Sequence, residues 1–211
     1  VNTIKIVTAL YLYYSYLKQF TTKRMKDIEN IELTYLTLND YQELKDAMID
    51  SYTTMPDSFW REHQIASLIE CFPEGQVVIK INDQIAGCAL AIMVDYSSFD
   101  DHHSYQEITG NYTFSTHTPD GDVLYGIDIF IKPQYRGLRL GRRLYDYRKE
   151  LCERLNLRGV AFGGRIPNYH KYSDTLSPKE YIAKVRRKEI HDPVLNFQVS
   201  NDFHPTKVLK N

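Results

Sequence analysis

The residues most able to do chemistry lie between Lys132 and Lys149, where seven basic side chains occur in a chain whose formal net charge is −1. This segment follows an apolar run and carries two glycines ahead of a helical pattern. A helix N-terminus presents unpaired backbone N–H groups and partial positive charge, and glycines let an anion approach them. The spacing therefore predicts a phosphate-binding turn. The alternative is a solvated basic face beside a tight turn.

Asp128 is the one acidic residue within the apolar run Val123–Ile131. Burial disfavours an ionised carboxylate and raises its pKa toward the range useful for a general base. The equally open alternative is a carboxylate that is satisfied by backbone N–H groups or by an arginine. Asp128 is therefore a candidate base.

A metal site is not expected from the histidines. Adjacent histidines in a polar loop are usually solvated, and no HExxH or matching Cys/His set accompanies them. The histidines considered are His102, His103, His117 and His170. The three cysteines lack CxxC or metal-ligand spacing, so we expect reduced core thiols in a cytoplasmic protein.

Composition predicts a globular protein, with 43% hydrophobic and 25% charged residues in 211. The near-zero net charge excludes an overall field that would attract nucleic acid or an anionic membrane, so neither is an expected partner. A nucleic-acid role for the arginine cluster stays as a third alternative. We expect one domain over residues 25–211.

Residues 1–24 form an accessory apolar and aromatic segment. Its run Ile4–Leu17 is shorter than the roughly 20 residues that cross a bilayer, and no small-residue cleavage site follows it. We expect a helix packing on the domain or on a partner subunit. A start-site artefact is the alternative.

The elements that would position the candidate residues read as a mixed α/β (α+β) domain. Two β-rich runs flank Asn82-Asp83 as a hairpin, Val123–Ile131 suits a central strand, and a helix carries Leu140 to Leu155 at helical spacing. Gly159–Gly164 predicts a further strand, and Phe203–Leu209 a last strand whose start Pro205 weakens. The loop 95–122 and the segment 165–191 should wall an acceptor pocket.

The turn resembles the signature of the GNAT superfamily of acetyl-CoA-dependent acyltransferases, [Q/R]xxGx[G/A] between a central strand and a long helix. Arg136 and Gly141 match its first and last positions, while Arg139 stands where the family has its middle glycine. Pro133 and Tyr135-Arg136-Gly137 also resemble the family's frequent P-x-Y-R-G. The resemblance implies the GNAT fold, a central mixed β-sheet flanked by helices and splayed at the cofactor site.

A closer resemblance is to the N-terminal GNAT domain of bifunctional proteins in which it precedes a carbon-nitrogen hydrolase. The stretches that carry this resemblance are 72–76, 108–117, 135–144 and 163–172. It implies a hydrolase domain or partner, with a homodimer as another expected association. Residues 1–24 lie outside the resemblance.

The resemblance also implies site residues. The backbone of Ile129, Phe130 and Ile131 would pair with the pantetheine arm of acetyl-CoA and with its acetyl carbonyl. The pyrophosphate would lie on the turn formed by Arg136, Gly137, Leu138, Arg139, Leu140, Gly141 and Arg142. The resemblance implies acetyl-CoA as a cosubstrate and no metal.

The implied reaction is attack of an amine on the thioester, with Asp128 as candidate base. The family's thiolate-protonating tyrosine would fall at Phe197-Gln198, which has no hydroxyl, so Tyr169 and Tyr172 are candidate substitutes, with packing roles as their alternative. The predicted function is N-acetyl transfer to a small-molecule or peptide amine. Its rival is a non-catalytic acyl-CoA-binding module beside a hydrolase. The acidic residues Asp95, Asp100, Asp101 and Glu107 would favour a cationic amine.

Overall fold

The computed structural model describes residues 28–53, 57–99 and 103–208. Its centre is a five-stranded sheet in the order β1 to β5, in which β1 to β4 are antiparallel neighbours and β5 runs parallel to β4. The strands are β1 (Ile31–Tyr35), β2 (Val77–Ile81), β3 (Gln84–Val94), β4 (Val123–Ile131) and β5 (Gly159–Phe162). The predicted mixed sheet is confirmed.

Helices cover both faces of the sheet. The side chains of β3 alternate between the two faces and contact different helices on each. Cys88 and Leu90 of β3 belong to the cluster formed with α1 and α2, while Ala89 and Ala91 belong to clusters that include α4. The helices are α1 (Tyr41–Ser51), α2 (Glu62–Cys71), α3 (Tyr105–Ile108), α4 (Leu140–Arg154), α5 (Pro178–Arg186) and α6 (Pro193–Val199). Helices α5 and α6 form a smaller cluster of their own.

The hairpin between β2 and β3 turns where Asn82-Asp83 predicted it. Both residues have positive φ, 47° and 64°, which matches the right-handed twist of a two-residue hairpin. The helix start at Ser177 is also confirmed, since its hydroxyl oxygen accepts from the N–H of Glu180 and the Glu180 carboxylate accepts from the N–H of Ser177. Local turn residues therefore fix the end of β2, and local capping residues fix the start of α5.

Two predictions were wrong in part. Residues 203–208 are not a strand; Pro205 lacks a ladder donor, and the ring of Phe203 packs on Tyr145, 4.7 Å between centroids. Cys88 and Cys152 are buried thiols, but Cys71 ends α2 on the surface. Residues 1–24 lie outside the described part. Among the described residues, no helix is long and apolar enough to span a membrane.

Candidate functional site

β4 loses its parallel partner halfway along its length. β5 pairs only with Val123–Gly126, so residues 127–131 have a neighbouring strand on the β3 side alone. This opening is the splay that the fold class predicted. It leaves a strand edge that can accept an extended ligand by backbone hydrogen bonds.

The ladder with β3 decides which backbone groups face the opening. The N–H of Lys132 donates to the carbonyl of Ala86 at 2.8 Å, and antiparallel pairing alternates from there. The backbone of Phe130 is therefore directed at β3, while that of Ile129 and Ile131 is directed at the opening. Of the three strand residues that we expected to offer backbone groups, Ile129 and Ile131 face the opening, and the Ile131 carbonyl accepts from Arg136 Nε at 3.2 Å.

The turn after β4 is built from two residues in left-handed conformation, Gly137 with φ 88° and Arg139 with φ 58°. Arg139 is the N-cap of α4, and its carbonyl accepts from the N–H groups of Arg142 and Arg143. Within the described chain, no acceptor is seen for the backbone N–H groups of residues 137–141. Leu140 and Gly141 are buried, so the amides placed to bind an anion are those of residues 137–139.

Cationic side chains surround these amides. Arg136, Arg139 and Arg142 are exposed, and Arg142 makes only a long contact with Asp146, 3.9 Å. A Cβ on Gly141 would lie 2.6 Å from Cζ of Phe197, so this glycine lets α6 pack against the start of α4. Arg136 also anchors the turn, since its guanidinium donates to the carbonyls of Ile131, 3.2 Å, and Ser51, 3.5 Å, whereas Arg139 and Arg142 extend into solvent.

Asp128 lies at a β-bulge in the middle of this opening. Asp128 pairs with Leu90 and Gly126 with Ala91, which leaves Ile127 as the extra residue. The hydroxyl of Tyr52 donates to Asp128 Oδ1 at 2.5 Å, and the backbone N–H of Ile129 donates to the same oxygen at 2.8 Å.

A third donor holds the other carboxylate oxygen, since the indole N–H of Trp60 lies 3.2 Å from Asp128 Oδ2. Burial raises the pKa of Asp128, while these three donors and the nearby Arg148 charge lower it; the net shift is upward. A raised pKa suits a base that works near neutral pH.

Arg148 of α4 supports the bulge from behind. Only 2% of its surface is exposed, and its Nη2 donates to the carbonyls of Leu90, 2.6 Å, and Asp128, 2.5 Å. A Cβ on Gly126 would lie 2.7 Å from Nη1, so this glycine makes room for the guanidinium. Arg148 therefore belongs to the support of the site, not to the exposed anion-binding arginines.

The candidate tyrosines Tyr169 and Tyr172 lie in the α5–α6 cluster, where both rings pack on Tyr181. The hydroxyl of Tyr169 donates to the carbonyl of Leu176 at 2.9 Å. Their contacts are those of packing residues. The hydroxyl that the structure brings to Asp128 belongs to Tyr52 instead.

Sequence reasoning missed three aromatic residues of the site: Tyr52, Trp60 and Tyr105, whose hydroxyl donates to the carbonyl of Ile127. Tyr52 and Trp60 flank Asp128 only through the tertiary fold, 76 and 68 residues away in the chain. The single tryptophan was the one compositional signal that could have singled out Trp60.

The acidic residues expected to attract a cation have local roles where they are described. Asp95 accepts from Ser97 and Ser98, and Glu107 accepts from the N–H of Ser104 at the start of α3. Asp100 and Asp101 lie outside the described residues. In the described part of the chain, no group of three His, Cys, Asp or Glu side chains could hold a metal ion.

Comparison with known proteins gives a family match and two relatives. The family model described as Acetyltransferase (GNAT) family matches residues 41–171. The probable hydrolase YhcX of Bacillus subtilis (strain 168) is 39% identical over 164 residues, 78% of this chain and 32% of that protein. The uncharacterized N-acetyltransferase YkwB of the same organism is 36% identical over 152 residues, 72% of this chain and 67% of that protein. The chain thus spans about a third of the first relative.

Two solved structures share the fold. The loading GNATL domain of CurA from Lyngbya majuscula has a TM-score of 0.68 at 21% identity, covering 82% of this chain and 83% of that one. The GphF GNAT-like decarboxylase in complex with isobutyryl-CoA has a TM-score of 0.65 at 17% identity, covering 80% and 84%. Because both identities are low, these likenesses bear on the fold alone.

Proposed function

Since this chain belongs to the acetyltransferase (GNAT) family, we propose that it transfers the acetyl group of acetyl-CoA to the amine of a small molecule or peptide. The observation that carries this proposal is the continuity of the edge of β4 that no strand covers with the accessible amides of residues 137–139. An extended arm and an anionic group of one ligand can be bound side by side there.

The strand edge and the turn have separate tasks in binding. Backbone groups of Ile129 and Ile131 bind the pantetheine arm, and the amides and guanidinium groups of residues 136–142 bind the pyrophosphate. The N–H of Ile129 donates to Asp128 Oδ1, and we infer that it turns to the acyl oxygen and stabilises the negative charge that develops there. Acetyl-CoA supplies the thioester.

Asp128 removes the proton from the attacking ammonium group, directly or through a water chain. A C–N bond then forms at the acyl carbon as the C–S bond breaks, and the sulfur departs as the thiol of CoA after taking the second proton that the attacking nitrogen loses. Tyr52 and Trp60 orient the carboxylate through their hydrogen bonds. Tyr52 is a poor proton donor to the sulfur, because burial and the Asp128 charge raise its pKa far above the usual tyrosine range.

A hydrolase domain or partner is a further part of the proposal. It is supported by the relative named a probable hydrolase, of which the matched region is 32%. Association of this chain with a second copy stays a prediction.

Release of CoA thiol from acetyl-CoA in the presence of a panel of amines tests the proposal, together with calorimetric titration of CoA. We expect binding and amine-dependent thiol release. Binding without release for any amine would overturn acetyl transfer and favour a ligand-binding module, while failure to bind CoA would overturn the site itself.

A further inference from the structure

Three aromatic side chains next to Asp128 form a surface that we call the aromatic shelf: Trp60, Tyr105 and Tyr112. The ring of Tyr112 lies 6.3 Å from that of Trp60 and 6.1 Å from that of Tyr105, centroid to centroid. Trp60 and Tyr105 are half-buried, whereas 39% of Tyr112 is exposed. The shelf therefore runs from the surface inward to the carboxylate.

An unusual backbone holds Tyr112 in this place. Gly110, Asn111 and Tyr112 are three consecutive residues in left-handed conformation, with φ of 58°, 55° and 64°. For a residue such as tyrosine this conformation is unfavourable and persists only where the surroundings enforce it. The enforcing contacts include the bond from the N–H of Asn111 to the carbonyl of Gln106, 2.8 Å, and that from the Gln64 amide to the carbonyl of Tyr112, 3.3 Å.

This strain does not serve to bury the ring, because Tyr112 is among the most exposed large side chains of the described chain. Its effect is to present an aromatic face beside Trp60. Backbone strain that exposes a side chain beside a candidate site points to a role in binding.

The shelf is tied to the reacting end of the site at two points. Trp60 donates to Asp128 Oδ2 at 3.2 Å, and Tyr105 donates to the carbonyl of Ile127 in the bulge at 2.8 Å. A group lying on the shelf is therefore next to the carboxylate. Aromatic faces combined with a carboxylate are the surroundings that an organic ammonium ion prefers.

The chain itself shows that aromatic faces in this region attract cations. The Arg61 guanidinium lies 4.2 Å from the ring centre of Phe59, and the Lys45 ammonium lies 4.9 Å from it. The Arg165 guanidinium lies 5.7 Å from the ring centre of Tyr52. Phe59 adjoins Trp60 in the chain, and Tyr52 bonds to Asp128.

We propose that the aromatic shelf is the acceptor subsite and that it selects an organic ammonium ion, held on the faces of Trp60 and Tyr112 with its charge directed at Asp128. The identification of this ligand as the acceptor rests on the proposed function, whereas the binding of a cation does not.

Trp60 is the only tryptophan of the chain, so its fluorescence reports on the shelf directly. The probes are choline and 3,3-dimethylbutan-1-ol, which have nearly the same shape and differ in charge, titrated without acyl-CoA. We expect a saturable change in fluorescence with choline and about tenfold weaker binding of the neutral probe. No saturable change, or equal affinity for both probes, would overturn the proposal.

Variants locate the binding on the shelf. Tyr112→Leu removes the ring and should weaken choline binding about fivefold, while Tyr112→Phe keeps the ring and should preserve it. Tyr35→Leu is the matched control, because Tyr35 is a tyrosine of β1 with 51% exposure. Equal affinity in Tyr112→Leu and Tyr35→Leu, both folded by circular dichroism, would contradict the assignment to the shelf.

The two proposals can fail separately. Thiol release with intact CoA binding but without charge selection at Trp60 would contradict the proposed role of the aromatic shelf and would support acetyl transfer. Charge selection at Trp60 without thiol release for any amine would support a cation-binding site on the shelf and would contradict acetyl transfer.

Discussion

At the scale of single residues, the proposed site depends on Asp128, which is half-buried among hydrogen-bond donors. Burial raises its pKa, and Tyr52, Trp60, the Ile129 N–H and Arg148 oppose that shift. The same three direct donors fix the orientation of the carboxylate. Its environment therefore combines features of the two interpretations that the sequence left open: the carboxylate is satisfied by hydrogen bonds, and its pKa is raised.

Asp128→Asn is expected to lower kcat by about 10² to 10⁴ without unfolding the chain. Because the folded-state pKa of Asp128 is raised, its contribution to stability is complete below the unfolded value near 4 and is lost as the pH rises through the folded value. The neutral amide avoids this loss, so the variant should gain stability relative to the wild type as the pH rises. The rate at saturating substrate measures the change in kcat, and the free energy of unfolding at pH 4 and pH 8 measures the change in stability. An unchanged kcat would show that Asp128 is not the base.

Arg148→Met tests the support behind the bulge. The Arg148 charge lowers the pKa of Asp128, so its removal should move the acid side of the pH–rate profile to higher pH. Arg154→Met is the control, because Arg154 lies exposed on the same helix and pairs with Glu74. A profile that does not move in Arg148→Met, with its circular dichroism preserved, would limit Arg148 to packing.

At the scale of elements, the turn between β4 and α4 departs from the family pattern at one residue. Arg139 occupies a left-handed position that glycine adopts freely, at an expected cost of about 1 kcal/mol. The same side chain adds a guanidinium beside the free amides. Arg139 therefore adds a positive charge to the turn at the cost of a less favourable backbone conformation.

Substitution of Arg139 separates these two effects. Arg139→Gly relieves the strain but frees the unfolded chain, so we expect stability within about 1 kcal/mol of the wild type. CoA affinity should fall about threefold to tenfold, and equally in Arg139→Asn, since asparagine tolerates the conformation without the charge. Arg139→Lys should keep most of the affinity. Calorimetry at two salt concentrations measures the CoA affinity of each variant. Unchanged affinity in both Arg139→Gly and Arg139→Asn would assign phosphate binding to the amides alone.

The same contrast between local and distant causes explains what the sequence could predict. β4 is observed over Val123–Ile131, the range predicted, because a nearly continuous apolar run is a local signal for a buried strand. The Asn82-Asp83 hairpin is local as well. The contacts of Asp128 with Tyr52 and Trp60 could not be predicted, because they join α1 and the start of α2 to β4 through packing. The packing contacts of Tyr169 and Tyr172 depend in the same way on where α5 places Tyr181.

At the scale of the whole molecule, the buried side chains of the described chain form a larger and a smaller part, which meet where Phe197 of α6 packs on Tyr145 of α4. The sheet with α1, α2 and α4 holds most of the buried apolar side chains, while α5 and α6 enclose a smaller cluster of Tyr181, Val185 and Leu195. Arg165, whose guanidinium lies over the Tyr52 ring, is in the segment that leads from β5 into this smaller part. The position of Arg165 therefore depends on how that part is held.

Asp192 is the residue that holds the smaller part together. Its buried carboxylate accepts from the Tyr181 hydroxyl at 2.7 Å and from the N–H groups of Leu195, 2.9 Å, and Asn168, 3.2 Å. Asp192→Ala leaves these donors without an acceptor, at an expected cost of roughly 3 kcal/mol. Because few other buried side chains support α5 and α6, we expect them to open locally while the sheet stays folded.

Hydrogen exchange resolves this opening by residue. Amides of α5 and α6 should lose protection in Asp192→Ala, whereas those of β3 and β4 keep it. CoA binding should persist, because the turn at residues 137–141 belongs to the sheet and α4, although Phe197 packs against Gly141 there. The control Asp174→Ala changes an exposed aspartate of the same region and should leave exchange unaltered. Equal loss of protection in β4 would show instead that the two parts unfold as one unit.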